Sequence, residues 1–117
     1  MQTHKDLDVW KEGIDLVVEV YKITANYPRE EQYGLSSQLR RAAVSMPSNI
    51  AEGYARNNLR ERIQFLYHSL SSLSEVETQL IISSRLGYLE DEKLIEAVTS
   101  LRKRLIRLIQ YYKNQNK

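Results

Sequence analysis

The sequence predicts an all-α protein, and three observations support that prediction. Four glycines and two prolines among 117 residues are too few for the tight turns of a β-rich chain. Apolar residues recur at steps of three and four along most of the chain, which is the spacing of one helix face. Short polar links separate four such segments. Long helices with short links favour an antiparallel up-down-up-down four-helix bundle, formed as a single domain by residues 1–117.

The first segment predicts a helix with a wide apolar face. One seam, at alternating steps of three and four, consists of Leu7, Trp10, Ile14, Val17, Tyr21 and Thr24. A second seam lies beside it and consists of Val9, Gly13, Leu16, Val20, Ile23 and Tyr27. Because a single partner face requires only one seam, the other predicts self-association. Pro28 and the two residues before it end the helix.

The second segment predicts a helix that a proline disturbs. It follows a polar loop that ends at Gly34, and its apolar positions are Leu35, Leu39, Ala42, Ala43, Met46 and Ile50. Pro47 lacks a backbone N–H and crowds the preceding turn, so we expect a kink there. Ser45 is then expected to cap a restarted helix that has Pro47 in its first turn.

The third and fourth segments complete the predicted bundle. Asn58 and Glu61 have the spacing of a capping box and predict the start of the third helix. The seam of that helix is Leu59, Ile63, Leu66, Leu70, Leu73, Glu77 and Leu80. Gly87 ends it, and the acidic residues that follow suit the positive N-terminus of the fourth helix. The fourth seam is Leu94, Val98, Leu101, Leu105, Leu108 and Tyr112.

The composition excludes several classes of protein. Cysteine is absent, which removes disulfides, thiolate zinc sites and thiol nucleophiles and fits a reducing cytoplasm. No apolar run approaches the roughly 20 residues of a membrane span, and the start of the chain lacks the apolar stretch of a signal peptide. We therefore expect a soluble, cytoplasmic protein with no membrane partner.

The patterns of an enzyme are also missing from the sequence. The four glycines are too scattered for a dinucleotide-binding or phosphate-binding loop. His68 has Phe65 three residues before it, so the Glu-x-x-His pair of a di-iron bundle is absent. Small polar residues on one helix indicate close packing and not a nucleophile, and here they are Ser69, Ser71, Ser72 and Ser74. We expect no catalysis, no cofactor, no metal and no small-molecule substrate.

Charge is divided unevenly although the net charge is only +2. Residues 1–33 carry four basic and seven acidic side chains, whereas residues 89–117 carry seven basic and four acidic ones. One interpretation is pairing between the first and fourth helices, with Glu12 and Asp15 near the cations of the fourth. The other is a surface for phosphates, because residues 102–117 contain no acid. The candidate nucleic-acid-binding residues are Arg56, Arg60, Arg62, Lys103, Arg104 and Arg107.

Tyrosine accounts for eight of the ten aromatic residues. Its ring packs while its hydroxyl stays hydrated, which favours protein interfaces. Stacking on nucleic-acid bases needs tyrosines beside the basic residues. Only Tyr54, near Arg56, and Tyr111 and Tyr112, near Arg107, meet that condition.

Glu77 falls in a core register of the third helix and therefore needs a partner. In a hairpin of the second and third helices, Arg40 and Arg41 lie level with Glu75 and Glu77, and an arginine–carboxylate fork would fix the register of the bundle. The alternative is that one arginine stays exposed to a phosphate. Gly53 costs about 1 kcal/mol in a helix interior relative to alanine, which predicts the close approach of another backbone or a ligand.

The least generic stretch of the chain runs from Arg40 to Gly53 and reads RRAAVSMPSNIAEG. Together with Val9-Trp10, Tyr33-Gly34-Leu35, Arg56 and residues 72–79, it resembles the four-helix-bundle family named after proteins encoded in intervening sequences of bacterial 23S rRNA genes. The motif positions are Arg40, Arg41, Pro47, Asn49, Glu52, Gly53, Glu75 and Glu77. The resemblance implies a kinked bundle, a ring-shaped homopentamer and no known catalysis.

The resemblance also extends to an accessory protein of diversity-generating retroelements, which works beside a reverse transcriptase and binds nucleic acid. Two hypotheses for the function follow. The first is a non-catalytic oligomer that binds RNA, DNA or a nucleic-acid-processing partner through its basic surfaces. The alternative is a purely protein-binding oligomeric adaptor with no role in nucleic-acid binding. Salt-dependent retention of RNA or DNA distinguishes them.

Overall fold

The structure, a computed structural model, describes residues 3–115, and this part of the chain forms four α-helices and no strand. The helices are α1 (Asp8–Thr24), α2 (Leu35–Tyr54), α3 (Leu59–Arg85) and α4 (Lys93–Gln115). Short 3-10 turns at His4–Asp6 and Arg29–Glu31 precede α1 and α2. The all-α prediction is confirmed. Lys117, which adds to the basic charge of the last segment, lies outside the described residues.

The predicted breaks fall where helices begin and end. At the start of α3, the side-chain oxygen of Asn58 accepts a hydrogen bond from the backbone N–H of Glu61 at 3.2 Å. At the end of α3, Gly87 has φ +82°, in the left-handed region that favours glycine. The backbone N–H of Tyr88 then donates to the carbonyl of Ser83 at 2.9 Å, which is the bond of a Schellman motif. Both helix signals in the sequence are therefore confirmed.

Helix α2 runs through Pro47 without interruption, so the expected restart capped by Ser45 is wrong. Ser45 instead lies inside the helix, where its carbonyl and hydroxyl accept hydrogen bonds from the Asn49 amide at 2.8 and 2.9 Å. The ring of Pro47 is buried against α1, and a Cβ added at Gly13 would lie 3.4 Å from it. The interface with α1 therefore uses the proline as a packing residue. The kink near Pro47 stays a prediction.

Each helix packs against two others, and the pairs in contact are α1 with α2, α2 with α3, α3 with α4, and α1 with α4. The described part of the chain shows no packing between α1 and α3 or between α2 and α4. Buried apolar side chains of all four helices form the core, including Val20, Leu39, Met46, Leu73, Val98 and Leu105. The bundle extends 47 by 21 by 21 Å.

The core uses the second apolar seam of α1 and part of the first. Val9, Leu16 and Val20 of the second seam are buried, and Leu7, Trp10 and Val17 of the first seam pack against the core. Ile14 and Tyr21 of the first seam are 38% and 46% exposed, which leaves apolar side chains of α1 in contact with solvent. Self-association through them stays a prediction.

The core face of α3 follows the predicted seam at Leu66, Leu73 and Leu80, which are fully buried. It shifts by one position at Leu70 and Glu77, where Ser69 and Val76 are buried instead. Val76 is fully buried, and Glu77 lies beside it at the edge of the core. The true seam passes through Ser69 and Ser83, which are both fully buried. The hydroxyl of Ser69 donates to the carbonyl of Met46 on α2 at 2.6 Å, so its polar atom is satisfied. A search for apolar spacing passes over serine, and it therefore favoured the neighbouring register.

Candidate nucleic-acid interface

Four of the six predicted nucleic-acid-binding residues are exposed cations. Arg56 follows α2, Arg60 lies in the first turn of α3, and Lys103 and Arg107 lie one turn apart on α4. Within residues 3–115, no carboxylate oxygen comes within 4.0 Å of their charged nitrogen atoms. The guanidinium of Arg56 covers the ring of Phe65 at 4.9 Å, a contact that leaves its N–H donors free. These four residues are available to phosphates.

Arg104, by contrast, forms an ion pair with α1. Its Nη2 donates to Oε1 of Glu12 at 2.7 Å, and its Nη1 donates to the other carboxylate oxygen. The two side chains are 35% and 41% exposed, so this pair stabilises the fold by less than about 1 kcal/mol. The pairing between the first and fourth helices that the charges indicate therefore occurs at Arg104. A phosphate would have to compete with Glu12 for it.

Arg62 lies inside the junction of α2, α3 and α4. Its guanidinium carbon lies 4.2 Å from the centre of the Tyr54 ring and 5.5 Å from that of Tyr112. Its Nε and Nη2 donate to the carbonyls of Gly53 and Tyr54 at 3.4 and 3.5 Å. These carbonyls belong to the C-terminal turn of α2, where positive charge is favourable. Because both bonds are longer than the usual 2.7–3.2 Å, Arg62 links the helices without committing strong hydrogen bonds.

Tyr54 and Tyr112 meet across the same junction. Their hydroxyls are hydrogen-bonded to each other, and their ring centres lie 6.0 Å apart in an edge-to-face arrangement. Burial raises the pKa of Tyr54, and its hydrogen bond with Tyr112 raises that pKa further. The sequence singles out both tyrosines because each lies near an arginine in the chain. The structure brings them together around a third arginine, Arg62.

These contacts place a group of cations at one end of the bundle. The contact between Tyr54 and Tyr112 brings the last turns of α4 beside the turn between α2 and α3. Lys113 Nζ donates to the hydroxyl of Tyr67 on α3 at 3.2 Å, and Arg107 lies about 7.5 Å of helix before Tyr112. We name this region the basic end and define it by Lys5, Arg56, Arg60, Arg62, Arg107 and Lys113. Lys103 lies one further turn along α4.

Residues 85–96, which comprise the last residue of α3, the connecting loop and the first turn of α4, have the opposite charge balance. They include four acidic and two basic side chains. This loop is separated from the basic end by most of the length of α4, a helix of 23 residues. The basic end also contains acidic side chains, among them Asp6, Glu52 and Glu61, so its cations exceed its acids without excluding them.

The motif arginines of α2 have other contacts than those expected. Arg40 Nε donates to the hydroxyl of Thr24 at 2.8 Å, and its guanidinium covers the ring of Tyr21 at 4.7 Å. Arg40 therefore joins α2 to α1. Arg41 is exposed and lines a groove with Glu75 of α3, but the described residues show no ion pair between them. Arg41 and Glu75 lie at the same height along the bundle, as expected. The predicted arginine–carboxylate ion pair between them is not formed in the described residues.

Glu77 pairs with α4 and not with α2, so the expected partners Arg40 and Arg41 are wrong. Its carboxylate accepts a hydrogen bond from the hydroxyl of Thr99 at 2.6 Å and lies 3.9 Å from Nε of Arg102. The Glu77 side chain is 23% exposed, so it lies at a boundary and not inside the core. The physical reason is the one-position difference in register, which turns Glu77 from α2 towards α4.

The remaining motif residues serve the packing of α2. A Cβ at Gly53 would lie 3.0 Å from Cβ of Phe65 and 3.2 Å from the carbonyl oxygen of Arg62, so Gly53 permits the close approach of the chain's own α3. Asn49 is half-buried and bonded to Ser45 within α2. Glu52 is exposed, and no ion pair to it is found in the described part of the chain.

Two residues beside the basic end were missed by sequence reasoning. His4 and Lys5 belong to the first 3-10 turn, which Thr3 caps by accepting a hydrogen bond from the Lys5 N–H at 3.2 Å. The His4 ring packs edge-on against Trp10 at 5.2 Å. The turn His4–Asp6 therefore packs against α1 and α2. The capping signal of Thr3 with Asp6 was the only one available, and it is weak in a terminal segment.

Residues 3–115 contain neither a membrane-spanning helix nor a cluster of metal ligands. No helix among them is long and apolar enough to cross a membrane. The same residues contain no group of three or more histidine, aspartate or glutamate side chains placed to hold a metal ion.

The fold and the surface together define a class: an α-helical protein whose four described helices share one core and which carries exposed cations near the α2–α3 turn and on α4. The model of the 23S rRNA-intervening sequence protein family matches residues 5–110, and the chain belongs to that family. A crystal structure of a protein with unknown function from the S23 ribosomal protein family of Bacteroides thetaiotaomicron is similar in fold. It has 24% sequence identity and a TM-score of 0.77, with coverage of 86% of this chain and 97% of that chain. No curated protein is found to match.

Proposed function

We propose that the protein is a non-catalytic, oligomeric helical bundle of the cytoplasm that binds RNA or DNA phosphates through its basic end and the adjoining face of α4. One observation supports this above the others. Arg56, Arg60, Lys103 and Arg107 are exposed and have no carboxylate partner within 4.0 Å among residues 3–115. Four uncommitted cations on neighbouring elements are what a phosphate backbone requires.

The distribution of charge matters more here than its total. A net charge of +2 gives little general attraction to nucleic acid. The cations of the basic end outnumber its acidic side chains, which include Asp6, Glu52 and Glu61, and this excess gives a local positive potential for a phosphate backbone. Such binding depends little on base sequence and falls steeply as salt rises, because each neutralised phosphate releases about one counterion.

The antiparallel up-down-up-down arrangement belongs to this proposal, since it brings the α2–α3 turn and the C-terminal part of α4 to the same end. Contacts between α2 and α3 support it. Gln79 bonds to Gln38 near the start of α2 at 3.4 Å, whereas the earlier residue Ser69 bonds to the later residue Met46 at 2.6 Å. Residue numbers therefore fall along α3 as they rise along α2.

Self-association is the second component of the proposal. Ile14, Val18 and Tyr21 of α1 and Val44 of α2 are large apolar side chains that remain 38–47% exposed. Arg40 of α2 covers Tyr21, so the two helices share this face. Copies that bury this face against each other would repeat the basic end around a ring axis and multiply modest phosphate contacts. We propose a closed ring of five subunits, a number that comes from the family resemblance.

Light scattering on a dilute sample tests the oligomer. The wild type should have the mass of a stable oligomer. Val18→Lys should reduce that mass, because it places a charge on the face that the proposed oligomer buries. Thr78→Lys adds the same charge at an exposed position of α3 and should leave the mass unchanged. A monomeric wild type at micromolar concentration would contradict this component.

Fluorescence anisotropy with a labelled single-stranded RNA tests the binding. The double variant Lys103→Glu/Arg107→Glu should lower affinity at least about tenfold at low salt, because two phosphate contacts become repulsions. The matched control, Lys22→Glu/Lys93→Glu, has the same net charge but changes exposed lysines outside the proposed surface. It should lower affinity no more than about twofold. Equal losses in the two variants would contradict the assignment of the surface.

A wild type that retains neither RNA nor DNA at low ionic strength would contradict nucleic-acid binding altogether. The exposed apolar face of α1 and α2 would then favour the protein-binding oligomeric adaptor. Partnership with a nucleic-acid-processing enzyme, and the relationship to the accessory protein of diversity-generating retroelements, stay predictions under both outcomes.

A further inference from the structure

A cleft at the basic end lies between the first 3-10 turn, the end of α2, the start of α3 and the end of α4. Its volume is about 700 Å³, within the range of small-molecule sites. The residues that line it are Thr3, His4, Lys5, Ala51, Tyr54, Ala55, Arg62 and Tyr112. None of these is acidic, so the lining combines two tyrosines, a histidine and two positively charged side chains.

Arg62 is the central cation of this cleft, and it retains hydrogen-bonding capacity. A guanidinium has five N–H donors, and the two hydrogen bonds of Arg62 go to backbone carbonyls at 3.4 and 3.5 Å. Its guanidinium carbon lies over the rings of Tyr54 and Tyr112, at 4.2 and 5.5 Å from their centres. An anion that entered the cleft would therefore meet an oriented arginine whose other donors are uncommitted. Lys5, which is exposed, supplies the second cation of the cleft.

The aromatic lining restricts the ligand further. A phosphate group alone makes no stacking contact with the rings of Tyr54, Tyr112 and His4. A nucleobase, by contrast, stacks on aromatic and guanidinium planes. A cavity of about 700 Å³ is also larger than a phosphate requires. Cations beside aromatic faces suit a ligand that is anionic at one part and planar and aromatic at another.

We propose that this cleft is a nucleotide-binding site, in which Lys5 and Arg62 bind the phosphate and the aromatic side chains bind the base. The inference rests on the proposed nucleic-acid binding and assigns it a definite site. The same chemistry is presented by a free nucleotide and by one nucleotide of a single strand. The two sources are separated by competition.

Isothermal titration calorimetry with adenosine 5′-monophosphate tests the site directly. Lys5→Glu should weaken binding about tenfold, since an exposed cation of the cleft becomes an anion. Lys11→Glu has the same change of charge at an exposed position of α1 that does not line the cleft, and it should bind within about twofold of the wild type. Ribose 5-phosphate, which lacks the base, should bind at least about tenfold more weakly than the nucleotide.

Displacement of a labelled single-stranded RNA by adenosine 5′-monophosphate would show that the strand uses the cleft, and binding without displacement would indicate a site for free nucleotides. If the nucleotide does not bind, and Lys5→Glu and Lys11→Glu retain RNA equally, the cleft is not a nucleotide site although RNA binding stands. If the nucleotide binds and depends on Lys5 while RNA is not retained, the site stands and the proposed nucleic-acid binding fails.

Discussion

Replacing Glu77 by alanine tests which helix its carboxylate binds. The change removes a hydrogen bond from Thr99 at 2.6 Å and a charge contact with Arg102 at 3.9 Å. A hydrogen bond to a charged acceptor contributes about 1.5 kcal/mol at the low end of its range, which suits a side chain that is 23% exposed. The partly exposed ion contact adds a few tenths of a kcal/mol. We expect Glu77→Ala to lower the free energy of unfolding by about 2 kcal/mol, below the 3–5 kcal/mol typical of a broken buried pair.

Urea denaturation at fixed protein concentration measures this effect, and double-mutant cycles identify the partner. Glu77→Ala combined with Thr99→Val should show a coupling of about 1 kcal/mol, because each change alone removes the same hydrogen bond between these two side chains. Glu77→Ala combined with Arg41→Ala should be additive within about 0.3 kcal/mol, since these side chains make no contact. A large coupling to Arg41 with none to Thr99 would refute the register assigned to α3 and restore the one that the apolar pattern predicts.

Three further changes test the packing and the junction. Ser69→Ala should lower the free energy of unfolding by about 1 kcal/mol, because it removes the buried bond to Met46; an unchanged urea midpoint would contradict that bond. Gly87→Ala should cost about 1 kcal/mol, since alanine disfavours φ +82°, and a thermal melt above that of the wild type would contradict the left-handed cap. Because the pKa of Tyr54 is raised in the folded state, its contribution to stability is complete below about pH 10 and declines above it, where the unfolded chain ionises first. Tyr54→Phe should reduce the loss of stability between pH 9 and 11 in urea titrations, and an identical loss in both proteins would contradict the raised pKa.

The sequence predicted where the helices begin and end better than it predicted which face of each helix points to the core. Asn58 and Gly87 marked the ends of α3 because capping is local chemistry that neighbouring residues reveal. The rotation of α3 depends on which side chains the other helices cover, and buried Ser69 and Ser83 satisfy that requirement without appearing apolar. For this reason the sequence did not indicate Thr99 of α4 as the partner of Glu77.

The basic surface was predictable only in part, because the contacts of a charged side chain depend on the tertiary fold. The cations of α4 and of the α2–α3 turn stand out in the sequence, but their use inside the fold does not. Arg62 contacts Tyr112 and Arg104 pairs with Glu12, and both contacts join residues far apart in the chain. Lys5 enters the site only because a capped turn folds against the bundle.

The salt dependence of RNA binding tests the central claim most directly. Affinity of the wild type for a labelled single-stranded RNA is measured by anisotropy at a series of salt concentrations. We predict a linear decrease of log K with the logarithm of the salt concentration. The slope should become shallower by about 1.4 when Lys103 and Arg107 are both changed to alanine, because each phosphate contact on a single strand contributes about 0.7. No measurable binding at low salt, or a slope that these two changes leave unaltered, would contradict the claim that this surface binds nucleic acid.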